Sequence, residues 1–286
     1  MQSLKNINAL KRTLGHPIHI NTCVSKLSKQ EIREKILEPL WQHGTICLKN
    51  QDLEAPQLKY LAQSLGKTYV LPKSFTFENN NDNFPEVVRI GNIKADGQII
   101  KGFQGAEYWH HDGNFYESPQ NRVMNILHTK ILPNSGGQTG FLDMVGPLRD
   151  QIFTQQELEK LKRSTLEVSV KNIKDFKIES ENDIIPEVVH PVVNKHPISG
   201  FEYLYLPSNP KGLYDTVEKK HWIKNSEIWD KLTEKGYIYQ HQWEEGDVLI
   251  WDNLTTMHRS MGGYFDSARL LLRIQSKYIE NEMQVE

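Results

Sequence analysis

From residue 85 onward the sequence is a succession of short β-prone runs cut by turn signals, and this pattern constrains the fold most. "PEVVRIGNI" and "QIIKGF" flank "KADG", whose Asp96-Gly97 pair marks a hairpin. "RVMNILHTKI", "GGQTGFLDM", "EYLYLP", "YIYQHQW", "DVLIWDN" and "ARLLLRIQSKYI" follow as further strand candidates. Helical patterns between them are short: "TQQELEKLKRST", with a Thr154/Glu157 capping box, and "NSEIWDKLTEKG", closing on Gly236. Short strands cannot bury an apolar face singly, so they must pack sheet against sheet. A β-sandwich or jelly-roll core with helices outside it is predicted.

Two helices open the chain. "SKQEIREKILEPLWQHG" starts with a Ser28/Glu31 capping box and stops at Gly44, with Pro39 expected to kink or shorten it. "EAPQLKYLAQSLG" has Pro56 near its first position and Gly66 as its stop. "TICLKN" between them reads as a short strand. There is no repeat, low-complexity tract or linker.

Charge and cysteine content narrow the function. Lys and Arg number 34 against 36 Asp and Glu, giving a net charge of -2 and no field suited to nucleic acid or anionic membrane. Cys23 and Cys47 are too few for a disulfide framework. "MQSLKNINALKRTLGHP" has no apolar core of a signal peptide, and "DVLIW" and "RLLLRI" are too short to span a bilayer. A cytoplasmic protein without nucleic-acid or membrane partners is expected. With neither G-x-G-x-x-G nor a P-loop, a nucleotide fold lacks support.

"EYWHHDGNFYESP" places His110, His111 and Asp112 side by side. In an extended segment His110 and Asp112 share a face and His111 points away, which is half of a metal site. Alone, the motif reads equally well as a polar strand end. Further on, a Glu245-Gly246-Asp247 turn leads into strand 248–251, and a polar loop delivers His258. Arg269 stands eleven residues later and Arg273 follows at i+4, flanking Leu271. An arginine pointing into a β core needs an anionic partner; otherwise the pair lies on a solvated strand edge.

The order and spacing of "WHHD", "GGQT" at 136–139, "GDVLIWDN" running to His258, and Arg269 resemble the Fe(II)/2-oxoglutarate-dependent dioxygenases of the TauD/TfdA family, from roughly residue 20 to the C-terminus. The resemblance implies a mainly β fold with flanking helices and a double-stranded β-helix (jelly-roll, cupin-like) core. It implies a single domain over 1–286, with N-terminal helices about 28–66, a core about 85–278, and a helical or lid insertion about 143–235. His110, Asp112 and His258 would be the catalytic facial triad binding Fe(II), leaving positions for 2-oxoglutarate and O2. Arg269 would take the distal carboxylate of 2-oxoglutarate through its planar fork, and Thr139 would add a hydroxyl donor. Gly136 and Gly137 would permit the turn there. Trp109, Trp251 and Asn253 read as packing and support, His111 as no ligand, and His128 as a residue that could face the pocket.

The implied reaction decarboxylates 2-oxoglutarate to succinate and CO2 while hydroxylating or desaturating a substrate C–H bond. Asp112 argues against a halogenase, in which the carboxylate position is vacated. Arg273 matches the family position that meets an acidic substrate group, implying a small anionic substrate such as an amino acid, carboxylate or sulfonate. Segment 70–84 does not match the taurine enzyme, and it and the stretch around 170–190 read as lids. The family's dimers and tetramers allow a homo-oligomer. Two alternatives remain at this stage: a zinc hydrolase on the same three residues, which lacks an H-E-x-x-H helix and leaves Arg269 and Thr139 without purpose, and a non-catalytic cupin-like binding protein.

Overall fold

The computed structural model describes residues 12–71, 83–94, 97–100, 106–117, 122–169, 187–208, 211–264 and 267–277. Asp96 of the expected hairpin lies outside them, as do 72–82 and 170–186, on which the two expected lids mostly fall. Ile93 nevertheless bridges Ile99, and the Gly97 N–H donates to the Lys94 carbonyl, as a hairpin there requires.

Helix α1 (Lys29–His43) begins with the expected box: Ser28 N–H donates to Glu31 Oε2 at 2.8 Å, and Ser28 Oγ accepts from Glu31 N–H. Gly44, at φ 74°, ends it. Pro39 does not shorten this helix, which runs on to His43. Ile32, Ile36, Leu37 and Leu40 are all buried beneath it, and that packing outweighs the one backbone bond a proline removes. Helix α2 (Ala55–Leu65) packs beside it, with Pro56 in its first turn.

The larger sheet has the order β1 (His16–Ile18), β2 (Thr45–Leu48), β14 (Val248–Asp252), β5 (Val123–Ile131), β16 (Leu270–Lys277) and β3 (Lys67–Thr68), with β4 (Val88–Gly91) also on β16. Its two faces follow the strand period of two. Ile126, Val248, Ile250, Leu272 and Ile274 pack outward under α1 and α2, whereas Leu127, Leu249, Trp251 and Leu271 point inward. A three-stranded sheet, β13 (Ile238–His241), β6 (Thr139–Asp143) and β15 (Thr256–Ser260), closes the other side. Its Phe141 joins the inner cluster 5.3 Å from Trp251, while Leu142 and Met257 face out to a second core. Two sheets around an inner space make the jelly-roll core.

Two expectations need correction. The stretch 143–235 is not simply helical: besides α3 (Gly146–Arg149), α4 (Gln155–Lys162) and α5 (Asn225–Glu234) it carries a four-stranded sheet, β12 (Lys220–Ile223), β11 (Leu213–Asp215), β7 (Ser164–Val168) and β8 (Val188–Pro191). A hairpin of β9 (Val193–Lys195) and β10 (Glu202–Leu204) adds to it. Apart from β10, which falls on the expected "EYLYLP", these strands of three to five residues are too short to show a period in the sequence. His258 sits on strand β15 rather than on a loop; "TTMHRS" is polar because its inner face meets the site and not an apolar core.

Candidate active site

His110 and His258 face each other across a two-residue antiparallel bridge. His110 N–H donates to the His258 carbonyl at 3.1 Å, and His258 N–H donates back to the His110 carbonyl at 3.0 Å. Directly opposed residues project to one side, which brings the imidazole centroids to 4.2 Å. The chain turns immediately afterwards at Gly113 (φ 61°), so Asp112 reaches the same side from a turn and not from an extended strand. Asn253 clamps that turn: its Nδ2 donates to the Asp112 carbonyl at 2.8 Å, and its Oδ1 accepts from Asp112 N–H at 2.9 Å. His111 is directed away, its Nδ1 2.7 Å from the Asn253 carbonyl and its ring 4.4 Å from that of Tyr205.

Among the described residues, the ligating atoms of His110, Asp112 and His258 lie within 4.8 Å of one another. His110 Nε2 is 3.9 Å from Asp112 Oδ1, and His258 Nε2 is 3.6 Å from Asp112 Oδ2. Those separations are too long for hydrogen bonds, and a shared ion would span them. The donor chemistry fits a divalent metal. His110 Nδ1 lies 2.9 Å from the Tyr108 carbonyl, which only accepts, so the proton sits there and Nε2 turns its lone pair to the cluster. Burial, then His110, keeps the His258 imidazole well below its usual range; burial also lowers that of His110. Burial would raise the Asp112 carboxyl, yet Arg273, then His258 and His110, hold it at about 2. Two neutral imidazoles and one carboxylate are the protonation state that metal binding requires. Trp251 and Phe141 wall the site, 4.9 and 6.5 Å from the His258 ring centroid.

Cys47, His241 and Asp247 form a second buried cluster. Lys49 Nζ already stands 2.9 Å from Asp247 Oδ1 as its cation, and burial followed by Asp247 pushes the Cys47 thiol up to about 12. A protonated thiol beside an ammonium disfavours a metal ion.

Arg269 is 4% exposed. Asn92 fixes its backbone in both directions: Oδ1 accepts from Arg269 N–H at 2.8 Å, and Asn92 N–H donates to the Arg269 carbonyl. Its Nη2 donates to the Gly137 carbonyl at 3.1 Å, its guanidinium lies 5.2 Å from the Tyr264 ring centroid, and its Nε has no acceptor among the described residues. Among the described residues no carboxylate forms an ion pair with it. Gly136 and Gly137 are both left-handed (φ 73° and 75°), and a Cβ on Gly137 would stand 3.1 Å from Arg269 Nε. Thr139 Oγ1 accepts from Trp243 Nε1 at 3.1 Å, leaving its own hydroxyl hydrogen free to donate.

Arg273 shares the inward face of β16 with Leu271 and Gln275, and its Nη1 is 3.5 Å from Asp112 Oδ2. His128 does not face this space. It is on the outward face of β5, with Nδ1 3.0 Å from the Asp247 carbonyl and Nε2 accepting from Leu53 N–H. Sequence reasoning missed Asn92, Trp243 and Gln275. Only Gln275 left a trace there, as the next inward position after Arg269, Leu271 and Arg273.

Residues 7–275 match the sequence profile described as "Taurine catabolism dioxygenase TauD, TfdA family". The chain belongs to this family and is a 2-oxoglutarate-dependent dioxygenase. It is 25% identical to an alpha-ketoglutarate-dependent 2,4-dichlorophenoxyacetate dioxygenase of Burkholderia sp. (strain RASC), over 82% of this chain and 81% of that one. It is 29% identical to an alpha-ketoglutarate-dependent sulfate ester dioxygenase of Pseudomonas putida, over 61% and 62%. Among solved structures, AAD-2 in complex with Mn(II) and N-oxalylglycine superposes with a TM-score of 0.74 at 18% identity, covering 94% of this chain and 97% of that one. A likeness at that identity establishes the fold. Family membership leaves the zinc hydrolase and the non-catalytic binding protein without support. No helix among the described residues is long and apolar enough to cross a membrane.

Proposed function

We propose that this dioxygenase oxidises a C–H bond of a small anionic substrate, with His110, Asp112 and His258 holding Fe(II) and Arg269 with Thr139 holding 2-oxoglutarate. One observation carries the reading: a buried guanidinium, without a carboxylate partner among the described residues, faces the same lumen as a partly buried His/Asp/His cluster. Burying a lone cation is costly, and a lumen built that way is built for an anion. When bound, the iron would supply O2 activation coupled to decarboxylation of 2-oxoglutarate, and the outcome would be hydroxylation or desaturation.

The residues divide the remaining work. Arg269 presents a planar fork to the distal carboxylate, with its backbone already locked by Asn92. Trp243 occupies the acceptor side of the Thr139 hydroxyl, so that hydroxyl is left to donate. Trp251 and Phe141 pack against the His258 ring and hold it in place. Arg273 meets the substrate's anionic group. The two relatives named above act on a phenoxyacetate and on sulfate esters, which agrees with an anionic substrate here; amino acids, other carboxylates and sulfonates are the candidates.

Arg273→Leu tests the substrate assignment. A panel of acids is screened by thermal shift with Mn(II) and 2-oxoglutarate present, since a ligand of the folded state raises its apparent stability. Acids that stabilise the wild type are expected to bind Arg273→Leu about 30-fold or more weakly, the loss of one charge-assisted pair, while 2-oxoglutarate still stabilises both chains. Equal stabilisation by the same acids would remove Arg273 from the substrate site.

A further inference from the structure

We propose that Gln275, locked by Tyr69, is the positioning residue that holds the Asp112 carboxylate in the orientation it presents to the ion. The inference rests on the metal reading of His110, Asp112 and His258.

Gln275 is buried at the end of the inward series Arg269, Leu271, Arg273, directly opposite the buried Asn125 of β5. Its Nε2 lies 3.0 Å from Asp112 Oδ2 and 2.7 Å from Asn125 Oδ1, and its Oε1 lies 2.6 Å from the Tyr69 hydroxyl. An ionised carboxylate only accepts, so the amide nitrogen must face Asp112 and the amide oxygen must face Tyr69. The phenol then has to donate. Burial, then the negative Asp112, raises the Tyr69 pKa above its ordinary value, and the hydroxyl keeps its hydrogen. Three partners thus fix one amide in one orientation.

Asp112 inherits that fixity. Its Oδ2 carries the Gln275 hydrogen bond and stands 3.6 Å from His258 Nε2, while Oδ1 faces His110 Nε2 at 3.9 Å. The carboxylate cannot rotate without breaking the bond to Gln275, so its plane stays turned toward the two imidazoles. Arg273 also stands near Oδ2, at 3.5 Å, beyond good hydrogen-bond range. When Arg273 turns to an anionic substrate, Gln275 is a neutral group that keeps Asp112 aimed. Partners of this kind, which orient a ligating side chain, typically change metal affinity 10–100-fold.

The test compares Mn(II) binding to full-length wild type, Gln275→Met and Tyr69→Phe, reading free Mn(II) by EPR, with thermal melts alongside. Methionine keeps the length of glutamine and removes the amide; phenylalanine removes only the hydroxyl that locks it. Gln275→Met is expected to bind Mn(II) about 10–100-fold more weakly than wild type, and Tyr69→Phe to weaken it in the same direction by less. Substitution with Co(II) adds a signature, because its visible ligand-field bands change if the carboxylate is presented to the ion in a different orientation. If Gln275→Met does not fold, Tyr69→Phe and its Co(II) spectrum decide alone. Unchanged Mn(II) affinity in folded variants, even with lowered melting temperature, means a packing role only and overturns the inference. Absence of stoichiometric Mn(II) binding to wild type itself overturns the metal reading instead.

Discussion

Asp112→Ala is expected to bind Fe(II) or Mn(II) at least ~100-fold more weakly than wild type and to lose 2-oxoglutarate turnover altogether. Orienting partners alone shift metal affinity by up to about that factor, and removing one of three ligands must cost more. The fold should survive. Asp112 sits in a turn held by backbone bonds to Asn253, which alanine keeps, and its side chain lies outside the apolar clusters. Asp112→Ala should therefore melt within about 5 °C of the metal-free wild type. A melting point far below that would mean that the carboxylate is there for stability. His258→Ala should match it in metal loss, with a larger drop in stability because the ring packs on Trp251 and Phe141.

Arg269→Leu should separate the two halves of the site. Removing a buried cation that pairs with a ligand carboxylate costs roughly 2–5 kcal/mol, so the Kd for 2-oxoglutarate should rise by about 30-fold to about 4,000-fold. Metal affinity measured without co-substrate should stay within about twofold, because Arg269 makes no contact with the three ligands. The ligand-free chain should be as stable as wild type or more so, since leucine relieves a guanidinium whose Nε has no acceptor. Arg269→Lys keeps the charge and loses the two-pronged geometry, so it should fall between the two. Titration of 2-oxoglutarate by calorimetry with Mn(II) present measures all three. An Arg269→Leu chain that binds 2-oxoglutarate normally would place the co-substrate elsewhere.

Much of this was legible in the sequence where local rules apply. The Ser28 and Thr154 boxes and the alternation through β5, β14 and β16 mapped directly onto elements, because caps and strand faces depend on neighbours in sequence. His128 went astray because its face depends on strand register, which the sequence does not display. The conclusion that His110 and Asp112 share a side was right for a partly wrong reason. One lies in a bridge and the other in a turn, and Asn253, far away in sequence, makes the turn possible. The roles of Asn92, Trp243 and Gln275 were hidden for the same reason: each acts on a residue more than a hundred positions away. "TTMHRS" read as a loop because strands that line a polar site lack the apolar half of the pattern.

Anaerobic titration of the Fe(II)-loaded protein with 2-oxoglutarate, followed by admission of air, tests the shared site most directly. A weak visible charge-transfer band should grow to saturation in the wild type and be followed by succinate, with no band from Asp112→Ala and a band only at far higher 2-oxoglutarate from Arg269→Leu. A wild-type chain that takes up iron yet gives neither band nor succinate, or an Asp112→Ala chain that gives both, would contradict the account.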